Sequence, residues 1–155
     1  MWQAIYYIFF TLTLFYGLYY SLTGLYGFLK PKKFKIVPFE AKNKFAVVIA
    51  ARNEEAVVGN LVRSVLDSNY PKELFEVYVA VNNTTDNTAK VAKEAGAIVI
   101  DVKEKVKSKG EVLRYVFKKL RNRKDIDAYI IFDADNIIHP DFLARMNDTL
   151  CCGYR

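Results

Sequence analysis

The chain has 155 residues, a formal net charge of +6, 52% hydrophobic residues and 26% charged ones. That length accommodates one domain with a real core, and that composition excludes disordered and collagenous proteins. Cys151 and Cys152 are adjacent, which gives neither a disulfide framework nor a metal-ligand spacing, so both read as ordinary thiols of a reducing compartment.

Trp2 to Leu29 contains no Asp, Glu, Lys, Arg or His and is dominated by Ile, Leu, Phe and Tyr. A span of about 20 apolar residues crosses a hydrocarbon core of about 30 Å, and this stretch is longer. A cleaved signal peptide needs a basic start, a shorter apolar core and a small-residue cleavage site, and none of the three is present. A helix lying in the membrane interface would tolerate the tyrosines but needs a polar face that is missing here. Residues 1–29 are therefore expected to be an uncleaved transmembrane anchor. Lys30, Lys32, Lys33 and Lys35 follow at once, and the positive-inside rule places such a cluster, and the chain after it, on the cytoplasmic side of the cell membrane. Anionic headgroups are a sufficient partner for this excess charge, and nucleic acid is not expected. Residues 30–44, with Pro31, Pro38 and no apolar period, read as a basic juxtamembrane linker.

From Phe45 onward, short apolar runs alternate with amphipathic ones. "FAVVIAA" predicts a buried strand, and Asn53 to Ser68 a helix with Val57, Val58, Leu61, Val62, Val65 and Leu66 on one face and Asn53 as its N-cap. "FEVYVAV" predicts a second strand, and "DNTAKVAKEAG" a second helix that Asp86 caps and Gly96 terminates. Then come a strand at "AIVIDV", the lysine-rich loop "KEKVKSKG", a helix over Glu111 to Leu120, and a strand at "AYIIF". The alternation predicts an α/β domain over 45–155, a mainly parallel sheet covered on both faces.

In such sheets ligands bind at the carboxyl ends of the strands. "ARNE", "NNTTDNT" and "DAD" each follow a strand, so one edge would gather all three. Asp133 and Asp135 alternate on an extended segment and can address one hard cation, Mg2+ or Mn2+. A solvated turn at a strand end suits Asp133 to Pro140 equally well. A calcium loop fails on Ile137 and Ile138, and a phosphotransferase using Asp133 as nucleophile lacks evident Ser/Thr and Lys partner segments. Glu54 and Glu55 fit a helix start on electrostatic grounds alone, and Lys109 could present an ammonium to a diphosphate. His139, the only histidine, reads as an exposed loop residue.

Taken together, "VVIAARNEEAVVGNLVRSVL", "VAVNNTTDNTAKVA", "KSKGEVLRYVF" and "IIFDADNIIHPDFL" resemble the family 2 glycosyltransferases in order and separation. The resemblance implies a GT-A fold, a nucleotide-diphosphate sugar donor with Mg2+ or Mn2+, transfer with inversion, and a glycan or lipid acceptor. It implies that Ala50, Arg52 and Glu54 line the nucleoside site and that Asn83 and Asp86 match the next motif. Asn82 occupies that motif's first acidic position, and its carbonyl oxygen can accept a hydrogen bond from a base, though without charge. A UDP-sugar is the favoured donor. The resemblance further implies that Lys109 and Gly110 match a loop beside the nucleotide, that Asp133 faces ribose and metal, and that Asp135 ligates the metal.

The family continues with an acceptor-side half that holds an acidic general base and, in many membrane-bound members, a Q-x-x-R-W segment and further transmembrane helices. None of these follows before Arg155. The expectation is a truncated chain that supplies the donor and metal half and is inactive alone; the alternative is a non-catalytic, membrane-tethered nucleotide-binding or interaction module.

Overall fold

A computed structural model describes residues 2–29, 37–104 and 106–153. It divides into two units, Met1–Lys35 and Ile36–Arg155.

The first unit is a single helix, α1 (Trp2–Leu29), of 28 residues. At 1.5 Å per residue it reaches about 42 Å, enough to cross a bilayer core with some tilt. It has no buried residue within its own unit, and it is long and apolar enough to span a membrane. Its threonine hydroxyls are satisfied within the helix: Thr11, Thr13 and Thr23 donate to the carbonyls of Tyr7, Phe9 and Tyr19 at 2.8, 2.9 and 2.9 Å. Such bonds to the preceding turn let a hydroxyl enter hydrocarbon without an orphaned donor. The four lysines that would orient the span lie at positions 30–35, outside the described residues.

The second unit is a four-stranded parallel sheet in the order β3-β2-β1-β4, with β1 (Phe45–Ala51), β2 (Phe75–Val81), β3 (Ile98–Asp101) and β4 (Ala128–Asp133). The helices are α2 (Val58–Leu66), α3 (Thr88–Glu94), α4 (Lys109–Leu120) and α5 (Phe142–Cys151), with a short 3-10 turn at Lys72–Leu74. β1 is central and apolar on both sides because alternate residues serve two cores. Phe45, Val47, Ile49 and Ala51 pack with residues of α2, α3 and α5, while Ala46 and Val48 pack with Val112, Val116 and Leu120 of α4.

Two local expectations need correction. Asn53 does not cap α2, which begins only at Val58 after a turn closed by the Val57 and Val58 amides on the Glu54 carbonyl at 3.1 and 3.0 Å. Residues 37–44, expected as part of a juxtamembrane linker, are hydrogen-bonded into the domain. The Phe39 amide donates to Asp148 Oδ1 at 2.8 Å, the Lys42 and Asn43 amides to Asn147 Oδ1 at 3.3 Å each, and the Tyr70 hydroxyl to the Asn43 carbonyl at 2.7 Å. Gly96 terminates α3 as expected, at φ +103, in a conformation that disfavours L side chains.

Candidate functional site

Register builds the site. Ala50 of β1 pairs with Ala80 of β2 and with Asp133 of β4, so the three strands end at one level. Arg52, Asn82 and the Asp133–Asp135 segment consequently leave the same sheet edge, far apart in sequence but adjacent in space. Between them opens a cleft of about 400 Å³ lined by Ala50, Ala51, Arg52, Glu54, Asn82, Val106, Lys107, Ser108, Lys109, Val112, Asp133, Ala134 and Asp135.

The loop after β1 is held by the loop after β2. Asn53 adopts φ +57 and its side-chain oxygen accepts from the Thr85 amide at 2.8 Å. The Glu54 amide donates to Thr88 Oγ1 at 2.8 Å, the Glu55 amide to Asp86 Oδ2 at 3.1 Å, and the Asn87 amide returns to Glu55 Oε2 at 2.8 Å. Thr88 is fully buried, and its amide and hydroxyl both donate to Asp86 Oδ1. The Thr88 hydroxyl, first among its partners, holds the Asp86 carboxyl below its ordinary range. Asp86 is thus a framework residue that fixes Arg52 and Glu54 at the cleft.

Asn82 is buried, 8% exposed, and its orientation is set from behind. Its amide nitrogen donates to the Val102 carbonyl at 2.8 Å and the Glu104 carbonyl at 3.2 Å, so the side-chain oxygen is left to accept. Asn83, expected in the same site, does not line the main cleft. It adopts φ +50 and borders a neighbouring depression with Val102, Lys103 and Glu104.

On the third side, Lys109 opens α4 and forms an ion pair with Asp133. Its position is set by an N-terminal cap in which the Glu111 amide donates to Ser108 Oγ at 3.3 Å and Glu111 Oε2 accepts from the Lys107 amide at 2.6 Å. Lys107 and Ser108 line the cleft without having been singled out by motif, although the Ser-x-x-Glu spacing of Ser108 and Glu111 signals this helix start. Asp133 and Asp135 are both exposed, with buried Ala134 between them, and the Asn136 amide closes a turn on the Asp133 carbonyl at 3.2 Å. The strand end and the turn coexist, and the turn aims both acids into the cleft. No group of three or more His, Cys, Asp or Glu side chains that could hold a metal is found among the described residues. A pair of exposed carboxylates fits a hard cation whose remaining ligands are water or phosphate oxygens, and it does not fit a closed zinc site. His139 is exposed on the following loop, with Nδ1 accepting from the Asp141 amide at 3.2 Å.

A family model described as "Glycosyltransferase like family 2" matches residues 42–153. The chain belongs to this family. Among curated relatives of this glycosyltransferase-family chain, Protein RfbJ of Shigella flexneri is 36% identical over 91 residues, covering 59% of the chain and 64% of the relative. The chain therefore spans less than two thirds of that relative's length. In fold, it resembles the mannosyltransferase PcManGT from Pyrobaculum calidifontis, solved in complex with GDP-Man and Mn2+, with a TM-score of 0.67, 19% identity, and coverage of 86% of this chain and 39% of the other. It also resembles S. aureus TarS 1-349, solved in complex with UDP-GlcNAc, at a TM-score of 0.57 and 22% identity over 64% of this chain and 29% of that one. The fold is GT-A.

Proposed function

We propose that this chain provides the donor-binding part of a membrane-anchored glycosyltransferase that moves a sugar from a nucleotide-diphosphate sugar, a UDP-sugar by preference, to a glycan or lipid acceptor with inversion. The observation that carries the reading is the convergence of Arg52, Glu54, Asn82, Lys109, Asp133 and Asp135 on one cleft. Family relationship supports transfer chemistry, and the GDP-Man, UDP-GlcNAc and Mn2+ in complex with the two fold neighbours support a nucleotide sugar and a divalent cation.

In this reading Ala50 is small enough to leave room for a nucleoside, and the Asn82 oxygen accepts from a base N–H. A uracil imide offers such a donor; a cytosine presents an acceptor at the same edge. Arg52 and Lys109 set two cations beside the diphosphate, and Asp133 and Asp135 would hold Mg2+ or Mn2+. That metal supplies positive charge where the departing nucleoside diphosphate accumulates negative charge. Lys109 does similar work from the protein side: its ammonium pairs with Asp133 when no ligand is bound and is free to turn to a phosphate oxygen. None of the acids in the cleft is assigned as the general base. The helix α1 anchors the domain, with the domain on the cytoplasmic side.

Calorimetric titration of the full chain in nanodiscs with UDP and GDP, with and without Mn2+ or Mg2+, tests this reading. Metal-dependent UDP binding is expected, with Asp135→Ala weakening it by about tenfold or more, equivalent to about 1.4 kcal/mol. Absence of nucleotide binding with either metal would overturn it.

A further inference from the structure

Charge is unevenly spread along this chain. Residues 103–124 hold ten Lys and Arg against two acids, a net of +8 that exceeds the +6 of the whole chain, while residues 30–35 add four lysines and everything else comes to −6. Part of this positive segment is already employed. Lys107 and Lys109 line the cleft, and Arg123 is neutralised by Glu76 and Asp125 at 2.7 and 2.8 Å. Lys103 borders the depression beside Asn83 and Lys105 lies outside the described residues, which leaves Arg114, Lys118, Lys119, Arg121 and Lys124, all exposed and none in an ion pair among the described residues.

Arg114, Lys118 and Arg121 fall at i, i+4 and i+7, on the side of α4 turned away from Val112, Val116 and Leu120. The core under that sheet face is closed by α4, whereas α2, α3 and α5 pack on the other, so this stripe is the outermost layer of its face. Like charges at i, i+4 repel, and the nearby acid Glu111 already accepts a bond from the Lys107 amide. Glu104 and Glu111 border the depression that Arg114 and Lys118 line, yet neither acid forms an ion pair with them among the described residues. A nucleic acid would want exposed rings for base stacking, but Phe117 packs edge-on against Tyr129 at 5.2 Å and Tyr115 packs against the core. An anionic lipid surface needs only charge, and a domain joined to a membrane-spanning helix meets that surface at high local concentration.

We infer that the outer face of α4, centred on Arg114, Lys118 and Arg121, is a second membrane contact that docks on anionic phospholipid headgroups. The inference rests on α1 as an anchor and is independent of sugar transfer. To test it, the full chain is placed in nanodiscs of neutral phosphatidylcholine and in discs with about one-third phosphatidylglycerol, and lysine acylation by an uncharged reagent is followed by peptide mass spectrometry. Acylation of Lys118, Lys119 and Lys124 is expected to slow about threefold or more in the anionic discs and to recover in high salt, with Lys90 and Lys93 on α3 unchanged. The double variant Arg114→Gln/Arg121→Gln, at two exposed positions, is expected to lose the protection while remaining disc-bound. Equal rates in both discs, or the same slowing at every lysine, would overturn the inference. So would stronger protection of these lysines by a single-stranded RNA added to neutral discs. A chain that does not copurify with discs loses the anchor and this inference together, whereas unprotected lysines in a disc-bound chain remove the docking face alone and leave nucleotide binding untouched.

Discussion

Asn82 is a framework residue whose side-chain oxygen is left facing the cleft. Its amide nitrogen satisfies the Val102 and Glu104 carbonyls, so an acid at this position would lose two donated bonds and set its charge against two carbonyl oxygens. Asn82→Asp is expected to destabilise the domain by about 1–3 kcal/mol, read as a lowered urea midpoint in detergent, and an unchanged midpoint would refute the locked orientation. Lys109 behaves differently. Its pair with Asp133 is exposed, with side-chain accessibilities of 44% and 67%, and ion pairs of that kind contribute about 0–1 kcal/mol. Lys109→Met should therefore leave the midpoint nearly unchanged while weakening UDP binding several-fold. Parallel losses of stability and affinity would mean that the pair is structural.

At the scale of elements, the β1 and β2 loops are a single interlocked unit, and Thr88 is its centre. Thr88→Val keeps the shape but removes the acceptor for the Glu54 amide and the donor to Asp86. A cost of about 1–3 kcal/mol is expected from the stranded polar groups, together with weaker nucleotide binding, because Arg52 and Glu54 lose their support. Normal affinity in this variant would show that the first loop holds its shape alone. The same loops explain what could and could not be read from sequence. The strands β1, β2 and β4, and the edge that collects "ARNE", "NN" and "DAD", follow from apolar runs and topology rules. Asn53 looks like a helix cap by its neighbours, yet a partner 32 residues away, the Thr85 amide, determines its conformation. Local pattern cannot report such a partner. Helix α5 is hidden for a related reason: its buried face includes Asn147 at 1% exposure and Asp148 at 5%, which hold residues 39–43 and break the apolar period. The packed part of the supposed linker is invisible on the same grounds, since its partners lie from 27 to 109 residues away.

The whole domain has two ends of opposite character. The carboxyl edge leaves its acids exposed to a ligand, whereas the amino edge closes its charges on one another. There Lys44, just before β1, meets Glu76 of β2 at 3.2 Å and Asp125 at 2.8 Å, and Arg123 bridges the same two acids ahead of β4. Three strands are thus tied at their starts by one network, to which Tyr78 also donates through Glu76. The Arg123 guanidinium, more than any other neighbour, holds the Glu76 carboxyl at about 2 against an ordinary 4.5, and Arg123 and Lys44 likewise lower Asp125. Depressed acids stabilise the fold above their unfolded value, and that contribution disappears as the folded-state groups take up protons. Thermal stability of the full chain in detergent, followed by near-ultraviolet circular dichroism, should therefore be level near neutrality and decline as pH falls from about 4.5 toward 2. Glu76→Gln should be less stable at neutral pH and decline less steeply in acid, since its side chain no longer titrates. Equal acid slopes for the two proteins would assign the decline to other carboxylates and reduce the network to surface decoration.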